Sequence, residues 1–296
     1  MINTIPTAKS IQAGEIRMHY LEWLQESGPI QPSSAESNML LLHGLTSCAH
    51  TWSFVAPVLS SQFNVYALDL RGHGETDKPD VGYDFDTISK DAISFMETLG
   101  MQESVVAGHS WGASIAASLA ASRPDLASHL MMIDGGFLSP SRRAGMTIER
   151  WEAMLAPEEI YATVDTYLAA ASHSLGGLTP ELEDIFMASV YLNPDGSVRE
   201  KLSRENQVRI LRAMWDFRPE ELYPKLACPA TLIAARSSDP EMQPFVQRKE
   251  AGINEVLRIL PQAQAVWMDD AVHDLQLQRP KELAQVMLHF SKELSS

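Results

Sequence analysis

The alternation of apolar and helical segments between residues 38 and 136 constrains the fold more than any other feature. Four short apolar runs, "NMLLLHG", "FNVYALDL", "SVVAG" and "HLMMIDGG", are separated by segments typical of helices. Continuous apolar runs of this length indicate strands that are buried on both faces. Strands that alternate with helices form a parallel sheet covered by helices on both sides. We therefore predict an α/β fold with a mostly parallel central sheet flanked by helices.

The segments outside this unit divide the chain. Residues 9–23 alternate around a glycine and predict two antiparallel strands, and residues 27–37 form a polar, proline-rich connection. The α/β rhythm stops near residue 137, and the chain is helical and irregular, with no convincing strand, up to residue 226. It resumes with "CPATLIAAR", "AQAVWMDD" and a final helix. We predict a core domain formed by residues 1–136 and 227–296, with residues 137–226 inserted as a helical cap, or lid.

Composition narrows the class of protein. The chain has 296 residues, 45% of them hydrophobic, which is enough for a large core. A net charge of −15 argues against nucleic acid or an anionic membrane as a partner. Cys48 and Cys228 are too few for a disulfide framework, so we expect two reduced thiols. The N-terminus has no secretory pattern and no stretch has about 18 apolar residues, so we expect a cytoplasmic protein.

The segment "VVAGHSWGAS" combines a strand, a sharp turn and a helix around the pattern G-x-S-x-G. This arrangement is typical of a nucleophile elbow. Gly108 and Gly112 remove side chains where the strand and the helix approach each other. Ser110 then lies above the carboxyl ends of the strands, where a substrate reaches its hydroxyl and the helix N-terminus faces it. We predict Ser110 as a catalytic nucleophile.

A serine hydroxyl needs a base, and His273 is the best placed of the nine histidines. It follows an apolar strand, lies in the polar loop "DDAVHDL" and precedes the last helix, which brings it to the same edge of the sheet as Ser110. His109 adjoins the serine and is interpreted as a packing residue. We predict His273 as the general base, in the chain order serine, acid, histidine.

The acid that orients the histidine is less sharply defined. Asp239 follows the strand "ATLIAAR" in the turn "SSDP" and is our first choice. Asp134, which ends "LMMID" one strand after the serine, is the rival, and the sequence leaves the two open. Asp269 and Asp270 follow the next strand and are less favoured.

The oxyanion of a tetrahedral intermediate needs two hydrogen-bond donors. We assign one to the backbone N–H of Trp111, the residue after the serine, and the other to the N–H of Leu45 in the loop after "MLLLHG". His43 in the same loop is expected to bond backbone groups and hold the loop rather than to transfer protons.

Five segments, taken together, resemble the α/β-hydrolase superfamily, in its cap-bearing branch with a serine nucleophile: "LLHGLTSCAHTW", "ALDLRGHGETDKP", "VVAGHSWGAS", "AARSSDP" and "AVHDLQLQRP". The resemblance extends to carboxylesterases and C–C bond hydrolases and implies neither a metal nor an organic cofactor. It also implies structural roles for Asp69, Arg71 and His73. One departure is Ala235, which stands where the family usually has a glycine before the acid, so the family pattern favours Asp239 without excluding Asp134.

The resemblance implies a serine hydrolase that cleaves a small hydrophobic carboxylic ester through an acyl-enzyme. A lactonase and a C–C bond hydrolase acting on vinylogous diketones use the same triad and stay open. An aminopeptidase would need a carboxylate from the insertion, and Glu158, Glu159 and Asp165 are available. A non-catalytic ligand receptor on the same fold is an alternative of another class. The expected partner is a small hydrophobic ester or lactone, and a homodimer is left open.

Overall fold

The computed structural model describes residues 5–25, 38–155, 160–172 and 175–292. The predicted connection over residues 27–37 lies outside these ranges. The strands of the described residues are β1 Thr7–Ala13, β2 Ile16–Trp23, β3 Asn38–Leu42, β4 Asn64–Leu68, β5 Ser104–His109, β6 Ala127–Ile133, β7 Val190–Leu192, β8 Val198–Glu200, β9 Ala230–Arg236 and β10 Ala263–Asp269. The main feature is an eight-stranded sheet with the strand order β1-β2-β4-β3-β5-β6-β9-β10.

The sheet has the predicted character. Along the sheet, from β4 through β3, β5, β6 and β9 to β10, neighbouring strands pair in parallel. The pairs β1–β2 and β2–β4 are antiparallel. The glycine in the predicted hairpin, Gly14, lies in the turn between β1 and β2 with φ 61°. The prediction of a mostly parallel sheet preceded by an antiparallel pair is confirmed.

Helices cover both faces of the sheet. The α-helices of the described residues are α1 Ala56–Leu59, α2 Phe85–Thr98, α3 Trp111–Ser122, α4 Ile148–Glu152, α5 Val164–Ala171, α6 Pro180–Met187, α7 Arg204–Asp216, α8 Pro219–Leu222, α9 Gln243–Ile259, α10 Leu275–Gln278 and α11 Pro280–Lys292. Alternate residues of each strand point to opposite faces. Leu40 and Leu42 of β3 accordingly lie in the cluster that α2 and α3 cover, and Met39 and Leu41 lie in the cluster that contains α1 and α11.

The helix α2 illustrates how local sequence defines an element. The carboxylate of Asp84 accepts a hydrogen bond from Thr87 N at 2.9 Å and caps the first turn. The buried face, which includes Ile88, Ala92 and Phe95, has helical spacing. Gly100, with φ 68°, follows the last turn in the left-handed conformation that glycine adopts without strain.

Residues 137–226 join β6 to β9 and contain α4 to α8. They also contain the hairpin of β7 and β8, which corrects the expectation of no strand in this part. Each of these strands has three residues, too few to display a period of two. Tyr167, Leu168, Val190 and Val198 form a separate small apolar cluster in the segment. Tyr223 at its end donates a hydrogen bond to Gly136 O at 2.6 Å and ties it to the core.

Both cysteines are free and buried, as expected. Within the described ranges, no helix combines the length and apolar character that a membrane span requires.

Candidate active site

Ser110 occupies a strained turn between β5 and α3. Its backbone has φ 54° and ψ −118°, a conformation that residues other than glycine seldom adopt. A Cβ added at Gly108 would collide with the carbonyl group of Gly112, and one at Gly112 would lie 2.5 Å from Leu42 O. The two glycines therefore allow the strand, the helix and the neighbouring strand to approach closely enough to form this turn.

The structure brings Ser110 and His273 into contact, as the sequence predicts. Ser110 Oγ and His273 Nε2 are 2.9 Å apart, although 163 positions separate them in the chain. His273 lies in the loop between β10 and α10, and its side chain is 45% exposed. His109 is buried beside it and donates from Nε2 to His273 O at 2.9 Å. This bond fixes the loop, in keeping with the packing role expected of His109.

The acid beside the histidine is Asp134. Its Oδ2 accepts a hydrogen bond from His273 Nδ1 at 2.6 Å. Asp134 follows β6 with φ 45°, its side chain is wholly buried, and Ala235 N donates to Oδ1 at 2.9 Å. Because Nδ1 carries the donated proton, Nε2 is free to accept the proton of Ser110.

The expectation that Asp239 orients His273 is wrong. Asp239 is exposed, and its side chain caps the 3₁₀ turn Pro240–Met242 by accepting from Glu241 N at 2.9 Å. The error has a physical cause: β6 and β9 are neighbours in the sheet, so Asp134 and Asp239 follow strands that end at the same edge. Of the less favoured acids, Asp269 pairs with Arg236 at 2.8 Å and Asp270 is exposed.

Lys249 is the site residue that sequence reasoning missed. Its Nζ lies 2.7 Å from Asp134 Oδ1 and 2.8 Å from Oδ2, and it donates to Ala235 O at 2.9 Å. A signal for it exists in α9, whose buried residues are Val246, Lys249, Ile253 and Val256. A lysine in an otherwise apolar helical stripe requires a buried partner, and a carboxylate is the usual one.

These contacts shift the pKa values of the two titratable partners. Burial lowers the pKa of His273, but the hydrogen bond and the charge of Asp134 outweigh it, so the pKa is raised above 6.5. Burial raises the pKa of Asp134, but His273 and Lys249 outweigh it, so this pKa is lowered. Burial and the neighbouring His273 lower the pKa of His109 to about 4, so His109 is neutral at pH 7.

The two residues predicted to supply the oxyanion donors are Trp111, which directly follows the serine, and Leu45, which lies in the loop after β3. Trp111 is the first residue of α3, where the helix does not use its N–H groups. Leu45 follows Gly44, and a Cβ on Gly44 would lie 3.3 Å from Ser110 Cβ. Two backbone bonds of His43, Nδ1 to Gly44 O at 2.8 Å and Leu70 N to Nε2 at 3.0 Å, hold this loop, as expected. The loop that carries Leu45 therefore passes close to Ser110 at Gly44.

A cavity of about 420 Å³ lies where the inserted segment meets the core. Its walls come from the 3₁₀ turn Ala49–Trp52, the residues after it and helix α1 on the core side, and from α6 of the insertion. This volume suits a small molecule. The lining residues include two carboxylates and no lysine or arginine: His50, Ser53, Phe54, Pro57, Glu181, Asp184 and Ile185.

The described residues contain no group of three or more His, Cys, Asp or Glu side chains that could hold a metal ion. A hydroxyl beside an imidazole that a carboxylate orients is an arrangement that can activate serine for attack on a carbonyl carbon.

The class of protein follows from comparison with known families. Residues 39–286 match the model of the alpha/beta hydrolase family. The chain therefore belongs to the alpha/beta hydrolase family, and it is a hydrolase with that family's fold.

Individual relatives refine the comparison. N-formylmaleamate deformylase from Pseudomonas putida is 26% identical over 277 residues, which cover 92% of this chain and 91% of that protein. Soluble epoxide hydrolase from a Corynebacterium species is 36% identical over 118 residues, but these cover only 40% of this chain and 38% of the relative. The crystal structure of E-2-(acetamidomethylene)succinate hydrolase superposes with a TM-score of 0.79 at 20% identity, over 96% of this chain and 98% of that one. This last similarity shows the shared fold.

Proposed function

We propose that the chain hydrolyses small hydrophobic carboxylic esters through an acyl-enzyme on Ser110, with His273 as general base and Asp134 as the acid of the triad. One observation carries the proposal: an unbroken set of hydrogen bonds joins Ser110 Oγ to His273 Nε2 at 2.9 Å and His273 Nδ1 to Asp134 Oδ2 at 2.6 Å. The strained backbone of Ser110 supports the same role, because such strain concentrates at functional sites.

The first half of the reaction forms the acyl-enzyme. Ser110 Oγ attacks the ester carbonyl carbon while His273 Nε2 takes the hydroxyl proton. The carbonyl oxygen becomes an oxyanion, which accepts hydrogen bonds from the N–H groups of Leu45 and Trp111. When this intermediate collapses, the carbon–oxygen bond to the alcohol breaks. His273 returns its proton to the departing alkoxide, which leaves as the alcohol.

The second half releases the acid. A water molecule attacks the carbonyl carbon of the acyl-enzyme and gives a proton to His273. The new intermediate collapses, the bond to Ser110 Oγ breaks, and His273 returns the proton to that oxygen. The products are one alcohol and one carboxylic acid, and Asp134 stabilises the imidazolium at each stage without accepting its proton.

The identity of the nucleophile guides the choice of substrate. Ser110 at the elbow supports attack on an acyl carbon and gives an ester linkage between the acyl group and the enzyme. Residues 137–226 are proposed to act as the cap over the site. Two of the carboxylates considered for an aminopeptidase, Glu158 and Glu159, lie outside the described residues, and Asp165 is an exposed residue of α5.

A second candidate is hydrolysis of a small N-acyl amide. It is favoured by the similarity to N-formylmaleamate deformylase, which extends over 92% of this chain. The same triad attacks an amide carbonyl, and the only change is that His273 gives its proton to a departing nitrogen instead of an oxygen.

The test combines a substrate panel with one substitution. Purified protein is assayed with p-nitrophenyl esters of increasing acyl length, an aromatic lactone, an N-formyl anilide, a vinylogous diketone and a styrene epoxide. We expect repeated turnover of the esters and a loss of about 10⁴-fold or more in Ser110→Ala. Ser114→Ala, in the same helix, is the matched control and is expected to retain the activity.

Other results of the panel would overturn the ester proposal in distinct ways. Faster turnover of the lactone, the anilide or the diketone would assign the triad to that substrate. A single burst of product without turnover would indicate a ligand receptor. Full ester hydrolysis by a folded Ser110→Ala protein would refute the acyl-enzyme mechanism altogether.

A further inference from the structure

The third partner of Asp134, Lys249, has no part in the reaction steps above. Its side chain is 5% exposed, and its Nζ makes contacts with three oxygens, two from Asp134 and one from Ala235. Its Nζ also lies 4.9 Å from the centre of the Phe245 ring. A buried ammonium is costly unless it is paired, so this position must serve the carboxylate that it contacts.

Lys249 and His273 share one carboxylate. Asp134 Oδ1 accepts from Ala235 N and Lys249, and Oδ2 accepts from His273 and Lys249. This arrangement uses all four lone-pair positions of the carboxylate and leaves it one orientation. The charge of Lys249 also offsets the charge that Asp134 presents to the imidazole ring.

Other titratable groups also lie beside His273. Asp274 adjoins it in the chain and raises its pKa, and His109 packs against it with ring centres 4.7 Å apart. Ser110 faces Nε2, and Asp134, with Lys249 bound to its carboxylate, faces Nδ1. Among these named groups, Lys249 is the cation whose charge does not depend on the protonation of a histidine.

We propose that Lys249 is a positioning residue that fixes the Asp134 carboxylate and partly neutralises it, so that His273 stays an unprotonated base at lower pH. This inference rests on the proposed function, since it assumes that His273 acts as the base. Lys249 reaches the reaction only through Asp134. The positive charge of Lys249 lowers the pKa of His273, which is the direction that this role requires.

The consequence is measurable in the pH dependence of kcat/KM, whose acid limb reports the base of the free enzyme. In Lys249→Met the opposing cation is gone and Asp134 acts on His273 with its full charge. We expect the acid limb to move to higher pH by up to about one unit, because a like charge that shares a carboxylate with an imidazole shifts its pKa by about that amount at most here. At a pH below the wild-type limb, kcat/KM then falls by up to about tenfold.

Two further variants separate charge from structure. Lys249→Arg keeps the charge, and its acid limb should stay at the wild-type pH. Arg248→Met removes the same charge from the neighbouring position of α9, outside the contacts of Asp134, and should also leave the limb in place. If Lys249→Met does not yield folded protein, Lys249→Gln replaces it, because an amide still donates hydrogen bonds but carries no charge. The same upward shift is expected.

The outcomes distinguish this inference from the proposed function. The position of a pH limb does not depend on how much protein is folded, so a lower yield cannot imitate the shift. An acid limb that is unchanged in Lys249→Met or Lys249→Gln would overturn the inference, even if the rate fell. Ser110→Ala is measured in parallel: if it retains activity, the proposed function has failed, and not the role of Lys249 alone.

Discussion

The substitution Asp134→Asn tests the assignment of the acid with the smallest change of shape. The new amide oxygen would stay at the position of Oδ1, where Ala235 N donates at 2.9 Å. The NH₂ group would then replace Oδ2, 2.6 Å from His273 Nδ1 and 2.8 Å from Lys249 Nζ. An NH₂ group cannot accept a hydrogen bond from His273 or from Lys249. If the amide were flipped, its NH₂ group would face the N–H of Ala235, which is also a donor.

The expected loss follows from the tautomer of the histidine. To accept a hydrogen bond from an NH₂ group, Nδ1 of His273 must be unprotonated. The ring proton then lies on Nε2, the atom that is 2.9 Å from Ser110 Oγ. The base then has no site for the serine proton. Such a change lowers kcat about 10⁴-fold in a serine triad, which corresponds to about 5.5 kcal/mol of transition-state stabilisation. We expect a loss of about 10³- to 10⁴-fold here.

The matched control is Asp239→Asn, the same chemical change at the acid first expected from the sequence. The amide introduced there would keep an oxygen for the N–H of Glu241, so the cap survives and kcat should stay within about twofold of wild type. Both variants are assayed with p-nitrophenyl butyrate, and rates are normalised to folded protein measured by circular dichroism. The reasoning is refuted if Asp239→Asn loses activity while Asp134→Asn keeps more than a tenth of it.

Three further predictions concern the elbow, the pH dependence and the thiols. Gly108→Ala should lower the free energy of unfolding by about 3 kcal/mol in urea, because its Cβ would lie 2.6 Å from Ala113 N; an unchanged midpoint would contradict the packing of the elbow. Because the pKa of His273 is raised and catalysis needs its neutral form, kcat/KM should fall as the pH drops through a value above 6.5, and a limb below that value would count against the Asp134 contact. Burial raises the pKa of Cys228 to about 11 and that of Cys48 further, so native protein should react slowly with Ellman's reagent and urea-unfolded protein rapidly; rapid reaction of the native protein would show that a thiol is accessible.

The central sheet and two of the site residues could be predicted from the sequence because their signals are local. Apolar runs and their spacing indicated the parallel strands, and the pattern around Ser110 indicated a turn that only glycines at both ends allow. His273 was found by its position after the last strand, which by topology is the same edge of the sheet as the serine. The contact between Ser110 and His273, which are 163 positions apart, could thus be predicted from strand order.

The features that select the acid are not local in the sequence, and the prediction of Asp239 was wrong. Asp134 and Asp239 both follow strands that end at the same edge. Selection between them depends on the left-handed turn at Asp134, φ 45°, and on a lysine 115 positions away. Neither is visible in the residues beside either aspartate. The hairpin of β7 and β8 was missed for a different reason, since strands of three residues are too short to show a pattern.

The most direct test of the mechanism is to locate the acyl group during turnover. Wild-type protein is mixed with p-nitrophenyl acetate, quenched in acid within milliseconds to seconds, digested and analysed by mass spectrometry. The mechanism predicts an acetyl group on the Ser110 hydroxyl that appears before steady state and decays when substrate is exhausted, and no such adduct in Ser110→Ala. Acetylation of another residue on the same timescale, or steady turnover with Ser110 unmodified at every time point, would contradict it.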